Sequence, residues 1–195
     1  MQRISSIRET STLEGSTMYL RVLALHDAWE LLDLRVRNRA FFGRFEPRRP
    51  DGFFTLESQR DLIAGDAQRR AADVGYAFGI FLRKSDELVG WVSLSNISRG
   101  GWQNATLGYA VDEGHNRRGI ATEAVRLVVG FAFEHGGLHR VQAAIMPRNA
   151  RSIRVVEKAG FRFEGVAERY LQIDGVWEDH SIYAVTKEEW SRRLP

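Results

Sequence analysis

The feature that most constrains this chain is a series of three apolar runs, residues 76–83, 87–97 and 103–111, set almost end to end. Only Lys84-Ser85-Asp86 and Arg99-Gly100-Gly101 mark the breaks between them. Parallel strands need a crossover of a dozen or more residues, so breaks this short permit only antiparallel hairpins. A meander is therefore predicted, and after it the period changes. Between residues 120 and 134, Ala121, Ala124, Val125, Val128, Phe131 and Ala132 recur at helical spacing, and Gly136-Gly137 closes the run. Residues 140–145 read as a short buried strand. Strand, helix and strand from 103 to 145 are long enough for a parallel crossover. The expected class is therefore α+β, a mixed sheet of about seven strands with helices on its faces.

The flanking segments fit around that centre. Residues 17–25 read as a first strand, and Asp27 with Glu30 resembles a capping box opening a helix to about Asn38, with Leu31 and Leu34 inward. Residues 41–54, crowded with Phe, Arg, Gly and Pro, read as a loop. A second helix starts at Thr55 or Ser58 and ends near Ala72, and another covers 149–159 before Gly160. Asp174-Gly175 joins strands 161–173 and 176–186 as a hairpin, and residues 187–193 form a small terminal helix. At roughly 100–200 residues per domain, the expected division is a flexible leader over residues 1–16, with room for a short strand within it, and a single domain over 17–195.

Composition removes several kinds of chemistry. The chain has no cysteine, which excludes disulfides, thiolate zinc sites and a cysteine nucleophile. No run approaches the ~18 apolar residues of a spanning helix, and the polar N-terminus lacks the apolar stretch of a secretion signal. A cytoplasmic protein without membrane contact is expected. The net charge of +3 is too small to indicate direct nucleic-acid binding. Of the 28 basic residues, 25 are arginine, a bias that suits anionic ligands as well as simple codon usage.

Two segments carry the chemistry. In the first, a strand ends at Val111, and Asn116-Arg117-Arg118-Gly119 leads into the helix at Ile120, Ala121 and Thr122. The amides of a first helical turn lack internal partners and carry about half a positive charge, so such a turn can cradle a phosphate or pyrophosphate. It can equally be an ordinary strand-to-helix turn with solvated arginines. It is neither a dinucleotide fingerprint nor a P-loop. In the second, Asn149 lies between a strand and a helix, where an N-cap is the simplest role, and Ser152 falls in the first helical turn.

Together these segments resemble the GNAT superfamily of acyl-CoA-dependent N-acetyltransferases. The first is similar to its pyrophosphate motif, and the second to its Asn-x-x-Ser…Glu-Lys-x-Gly-Phe block, here Asn149, Ser152, Glu157, Lys158, Gly160 and Phe161. Ala121-Thr122-Glu123-Ala124, His139-Arg140-Val141, Met146-Pro147, Glu164-Gly165 and the stretch from Tyr170 to His180 resemble the RimJ/RimL branch, which acetylates ribosomal-protein N-termini. The resemblance implies helices on both faces of a sheet splayed between strands 4 and 5. It places acetyl-CoA in that gap, held by Val111, Asn116, Arg117, Arg118, Gly119, Ile120, Ala121, Thr122, Asn149 and Ser152. No metal is implied.

The tyrosine acid common elsewhere in the superfamily is replaced here by Val156, so the resemblance puts thiolate protonation on Ser152. Familiar positions for the base carry Ala144 and Leu171; Glu46 or Glu168 could approach the amine, and a water held on backbone carbonyls is the alternative. Glu123, Asp179 and His180 are expected to be structural. The acceptor would meet Phe42, Phe45, Glu46, Tyr170 and Trp177. Without cysteine, direct transfer in a ternary complex is expected over an acyl-enzyme. The acceptor is a protein N-terminal α-amine; the alternatives are a small amine, or a non-catalytic acyl-CoA-binding module. A monomer or homodimer is expected.

Overall fold

The computed structural model describes residues 12–192. Its strands are β1 (Leu13–Glu14), β2 (Met18–Arg21), β3 (Tyr76–Leu82), β4 (Leu88–Ser98), β5 (Asn104–Val111), β6 (Arg140–Ile145), β7 (Arg162–Ile173) and β8 (Val176–Thr186). Its helices are α1 (Ala28–Arg37), α2 (Arg39–Phe42), α3 (Leu56–Ala71), α4 (Ile120–Glu134), α5 (Ala150–Lys158) and α6 (Lys187–Ser191). The strands form one mixed sheet in the order β1-β2-β3-β4-β5-β6-β8-β7. The meander pairs antiparallel as its short turns require, and β5–β6 is the parallel pair.

Strand alternation sends side chains to two cores. Tyr76, Phe78 and Ile80 of β3 join Val92, Leu94 and the apolar side of α4, where Ala124, Val125, Val128, Val129 and Ala132 are fully buried. Phe81 points the other way, into a cluster with Leu31 and Leu34 of α1 and Ile63 of α3. At about 1.5–3 kcal/mol for each large apolar side chain buried, α4 is the element most firmly fixed to the sheet. Its N-terminus is therefore a rigid platform. Glu123 ties that end to the chain before β2, accepting from Ser16 Oγ at 2.7 Å and Thr17 Oγ1 at 2.8 Å.

The parallel pairing of β5 with β6 lasts three residues, Asn104↔Arg140, Ala105↔Val141 and Thr106↔Gln142. Arg140 clasps this closed end, donating to Asn104 Oδ1 and Gln142 Oε1, each at 2.6 Å. Beyond it the strands diverge, while β4 and β8 continue to pair with their outer edges. A wedge opens in the middle of the sheet.

Several expectations need correction. The sheet has eight strands because Leu13–Glu14 pairs with β2, so the leader boundary at residue 16 falls inside the sheet; residues 1–11 lie outside the described residues. The splay falls between the expected strands 103–111 and 140–145, which that extra strand renumbers β5 and β6. The first long strand stops at Arg21, and Leu25–Asp27 is a 3₁₀ turn. Asp27 precedes α1 but makes no capping bond. Its carboxylate turns back to Arg21, at 2.7 and 2.8 Å, and to the Ala24 amide at 2.7 Å. The aromatic loop begins with the helical turn α2. Among the described residues no helix is long and apolar enough to cross a membrane.

Candidate active site

The wedge opens into a cavity of about 320 Å³. Residues 107–111 of β5 form one wall and Ala143, Ala144 and Ile145 of β6 the other. Asn149 and Ser152 approach from the start of α5, and Phe42, Phe45 and Glu46 form a lip. The strand edges facing the cavity are not paired across it, so their backbone groups are available to an extended ligand.

At the wall, Ser152 Oγ lies 2.6 Å from Tyr109 Oη, and the Tyr109 hydroxyl is also 3.0 Å from the Ser152 carbonyl, to which it can donate. Burial pushes the Tyr109 phenol above its ordinary range, and the Ser152 contact offsets that only in part. The pair is thus protonated and connected, a two-hydroxyl relay. Asn149 is the N-cap of α5, its Oδ1 accepting from the Ser152 amide at 3.2 Å. Its amide nitrogen remains to face a ligand.

At the far end of β5 the chain turns sharply. Asp112 accepts from the Gly114 amide at 3.1 Å and from Arg37 Nε at 2.9 Å. Arg117 and Gly119 take left-handed φ values of 64° and 82°. For Arg117 that conformation is costly, as strained backbone at functional sites commonly is. The first helical bond runs from the Glu123 amide to the Gly119 carbonyl, so the amides of Ile120, Ala121 and Thr122 point out of the helix end. A second cavity of about 340 Å³ lies on this turn, bordered by Arg117, Arg118, Arg151, Arg154 and Lys158. Asn116 borders both cavities, and its Nδ2 is buried without a hydrogen-bond partner. A stranded donor beside outward amides and five basic side chains fits a pyrophosphate group.

Glu87, Asp112 and His115 lie close enough together to ligate a cation. The Arg37 guanidinium already meets this charge, 2.8 Å from Asp112 and 3.6 Å from Glu87.

At the lip, burial raises the Glu46 carboxyl above the usual range, against the pull of Arg35 and Arg49. Phe42 packs edge-on against Trp91 at 5.0 Å. Of the expected site residues, Val111, Asn116, Ala121, Asn149, Ser152, Phe42, Phe45 and Glu46 line the first cavity; Arg117, Arg118, Gly119, Ile120 and Thr122 line the second. Glu168, Tyr170 and Trp177 border neither. They belong to the β7–β8 hairpin: Glu168 is exposed on edge strand β7, and Trp177 is 60% exposed. Tyr170 approaches only indirectly, its ring 5.6 Å from that of His180.

Three features of the site escaped the sequence reading. Tyr109 read only as a strand residue, and its partner Ser152 is 43 positions away. His180, 3% exposed, lines the first cavity, and its Nδ1 lies 2.9 Å from the Glu178 carbonyl. A carbonyl can only accept, so Nδ1 is the donor in this contact. Arg151, Arg154 and Lys158 line up on one face of α5, a spacing visible in the sequence. Asp179 accepts from the Arg169 amide at 2.8 Å, the structural role expected for it.

Residues 17–162 match the acetyltransferase (GNAT) domain family. The Bacillus subtilis (strain 168) protein named "Probable N-acetyltransferase YjcK" is 49% identical over 173 residues, covering 89% of this chain and 96% of its own. The structure of ribosomal-protein-S5-alanine acetyltransferase from Vibrio fischeri aligns with a TM-score of 0.87 at 30% identity, covering 92% of this chain and 98% of that one. Mycobacterium smegmatis RimJ, solved in complex with a CoA-disulfide, aligns with a TM-score of 0.84 at 30% identity over 88% of this chain and 83% of its own. The chain therefore belongs to the GNAT family and is an N-acetyltransferase, with RimJ among its structural neighbours.

Proposed function

We propose that this enzyme transfers the acetyl group of acetyl-CoA directly to the N-terminal α-amine of a ribosomal protein. The observation that carries the reading is the wedge itself. It has a hydroxyl pair joining β5 to the start of α5, a half-buried carboxylate at its lip and a basic, amide-rich turn at its end. The acceptor class is supported by relatives named as acetyltransferases of a ribosomal-protein alanine, together with a lip whose Phe42 and Glu46 also border a further cavity.

When bound, acetyl-CoA supplies an acyl group activated as a thioester, to which an amine adds while the C–S bond breaks. Arg117, Arg118 and the amides of Ile120 to Thr122 would hold its pyrophosphate, with Asn116 Nδ2 finding there the acceptor it otherwise lacks. The edges of β5 and β6, with Asn149, would pair with the pantetheine amides as an added strand does. Ser152 would donate its proton to the departing sulfur and be reprotonated from Tyr109, whose phenolate would regain a proton from solvent as the products leave while Glu46 releases its own there. Glu46, of the two carboxylates considered, is the one at the cavity, and it would take the proton from the attacking amine. An α-amine with a pKa near 8 is already partly neutral, so a carboxylate raised by burial suffices.

The test compares initial rates on synthetic peptides beginning with Ala or Ser against a panel of amino acids, amino sugars and polyamines. Peptides should be preferred by at least an order of magnitude in kcat/KM. Good turnover of a small amine with none of any peptide overturns the acceptor assignment.

A further inference from the structure

Arg35 combines burial with the lack of an ion pair. Arg21, Arg37, Arg39, Arg69, Arg83, Arg99, Arg140, Arg148 and Arg162 each stand within 4 Å of a carboxylate. Arg35 is the one arginine among the described residues that is buried, at 7% exposure. No hydrogen bond or ion pair reaches its guanidinium there, and its Nε is buried without a partner. It lies against two rings, 4.3 Å from the Trp91 centroid and 4.9 Å from that of Phe53. Aromatic faces offset part of the cost of desolvating a cation but supply no acceptor for its N–H groups. Burial accordingly depresses the guanidinium's pKa, and Glu46 restores part of that loss from a distance.

Arg35 lines a further cavity of about 650 Å³, and on its other flank a smaller one beside Asp66 and Trp91. Arg44, Arg48 and Arg49 line the larger cavity too, and Glu46 and Asp174 are its only acidic members. Arg49 also stacks on Phe53, its guanidinium 4.8 Å from the ring centroid. The cavity shares Phe42 and Glu46 with the transfer cavity. An occupant of it therefore adjoins the transfer cavity across Phe42 and Glu46.

Resting on the proposed acceptor class, we propose that this cavity is a carboxylate subsite. In it the guanidiniums of Arg35 and Arg49 bind an acidic side chain within the first few residues of the peptide whose α-amine is acetylated. A carboxylate matches the planar guanidinium fork, supplies the acceptors Arg35 lacks, and balances a rim in which basic groups outnumber acidic ones.

The experiment uses two readouts on one peptide series, in which Asp or Glu at positions two to five is replaced singly by Asn or Gln. Binding is measured by anisotropy of labelled, N-terminally acetylated peptides on the CoA-saturated enzyme. Turnover is measured on the free peptides. One acidic position should improve both affinity and kcat/KM by about 10- to 100-fold, chiefly through KM, as expected for a desolvated charge-assisted pair. Arg35→Met should reduce the acidic peptide to the level of its neutral twin. Arg49→Gln, on a more exposed position, should reduce the ratio severalfold even if Arg35→Met folds poorly.

Equal binding and equal turnover across the series overturns the subsite and leaves the N-terminal acceptor standing. So does an acid preference that survives both substitutions. Acid-dependent binding without acetylation overturns the acceptor reading and leaves the subsite. A carboxylate preference confined to small amines, with peptides neither bound nor acetylated, overturns both.

Discussion

Replacing Tyr109 by Phe removes one oxygen and keeps the ring, so the consequence follows from a single contact. That oxygen lies 2.6 Å from Ser152 Oγ and 3.0 Å from the Ser152 carbonyl. In the folded protein, losing this exchange of hydrogen bonds costs about 1 kcal/mol, because a half-buried Ser152 can turn to another acceptor. Catalysis should suffer far more. A positioned donor in a water-poor site is typically worth 10²–10³ in kcat, and Ser152→Ala should cost a similar factor. The two hydroxyls act in series, so removing either ends proton delivery to the sulfur. Independent groups would multiply to at least about 10⁴, whereas a relay leaves the double variant near 10², a coupling of about 2.7 kcal/mol at that factor. The assay is initial-rate thiol release at saturating peptide for the wild type, both single variants and the double variant. CoA affinity by calorimetry shows that the wedge is intact. Multiplicative losses, or an unchanged kcat in Tyr109→Phe, would refute the relay. Burial holds the phenol protonated beyond its ordinary range, so the basic side of the pH profile below about pH 10 should not move in any of the four.

Three further outcomes follow. Gly119→Ala has open space at the new Cβ but keeps a φ of 82°, so it should cost about 1 kcal/mol in thermal stability and weaken CoA binding severalfold by calorimetry. Glu46 must be ionised to accept a proton and burial raises its pKa, so kcat/KM should fall as pH drops through a value above the usual glutamate range. Glu46→Gln should abolish that limb and lower kcat by about 10²–10⁴ at neutral pH, read from pH–rate profiles. For Asp27, burial alone would raise the carboxyl, but Arg21 and the Ala24 amide outweigh it and hold the pKa below the ordinary value. A depressed acid stabilises above its unfolded pKa and loses that contribution as pH falls through the folded one. Asp27→Asn should therefore cost about 2 kcal/mol at pH 7 by urea melts, with the gap to the wild type closing below about pH 4.

What could be read from the chain was whatever a local pattern specifies. Helix 120–134 and strands 140–145 and 176–186 have the bounds expected, because period and glycine turns mark both ends. The wedge needed more than pattern, since nothing in residues 103–111 or 140–145 says that pairing stops at Thr106 and Gln142. Resemblance supplied it. Asp27 and Glu30 spell a capping box, yet Arg21, six residues upstream, competes for the carboxylate and wins with two hydrogen bonds. A two-residue strand such as Leu13–Glu14 has too few positions to show an alternation. The Tyr109–Ser152 pair joins a strand to a helix across the wedge, and the distance between them exists only after the sheet has splayed. Glu168 and Trp177 failed for the complementary reason. β8 stands between Glu168 on β7 and the wedge, and Trp177, although on β8, lies beside the Asp174-Gly175 turn beyond the stretch that pairs with β6.

Arginine shows why the site side of the problem was harder than the fold. A net charge of +3 conceals four environments that no local composition separates. Arg140 closes the paired end of the wedge, Arg117 and Arg118 stand at its phosphate end, and Arg37 occupies a would-be cation cluster. Arg35 sits two residues before Arg37 on the same helix, and helical geometry alone separates their fates. At 100° per residue, two steps rotate the side chain by about 200°, taking Arg37 to the carboxylates of Asp33 and Asp112 and Arg35 under Trp91. A solvated arginine face and a buried anion site therefore have the same one-dimensional signature. What separates them is that no carboxylate stands in ion-pair contact with Arg35, whose guanidinium lies against Trp91 and the Phe53 of the packed loop from Phe42 to Phe54 instead. The same loop places Glu46 on the boundary of both cavities. A base there is raised by burial and restrained by two guanidiniums, so the charge of the acceptor's neighbours and the basicity of Glu46 are set by one pair of arginines.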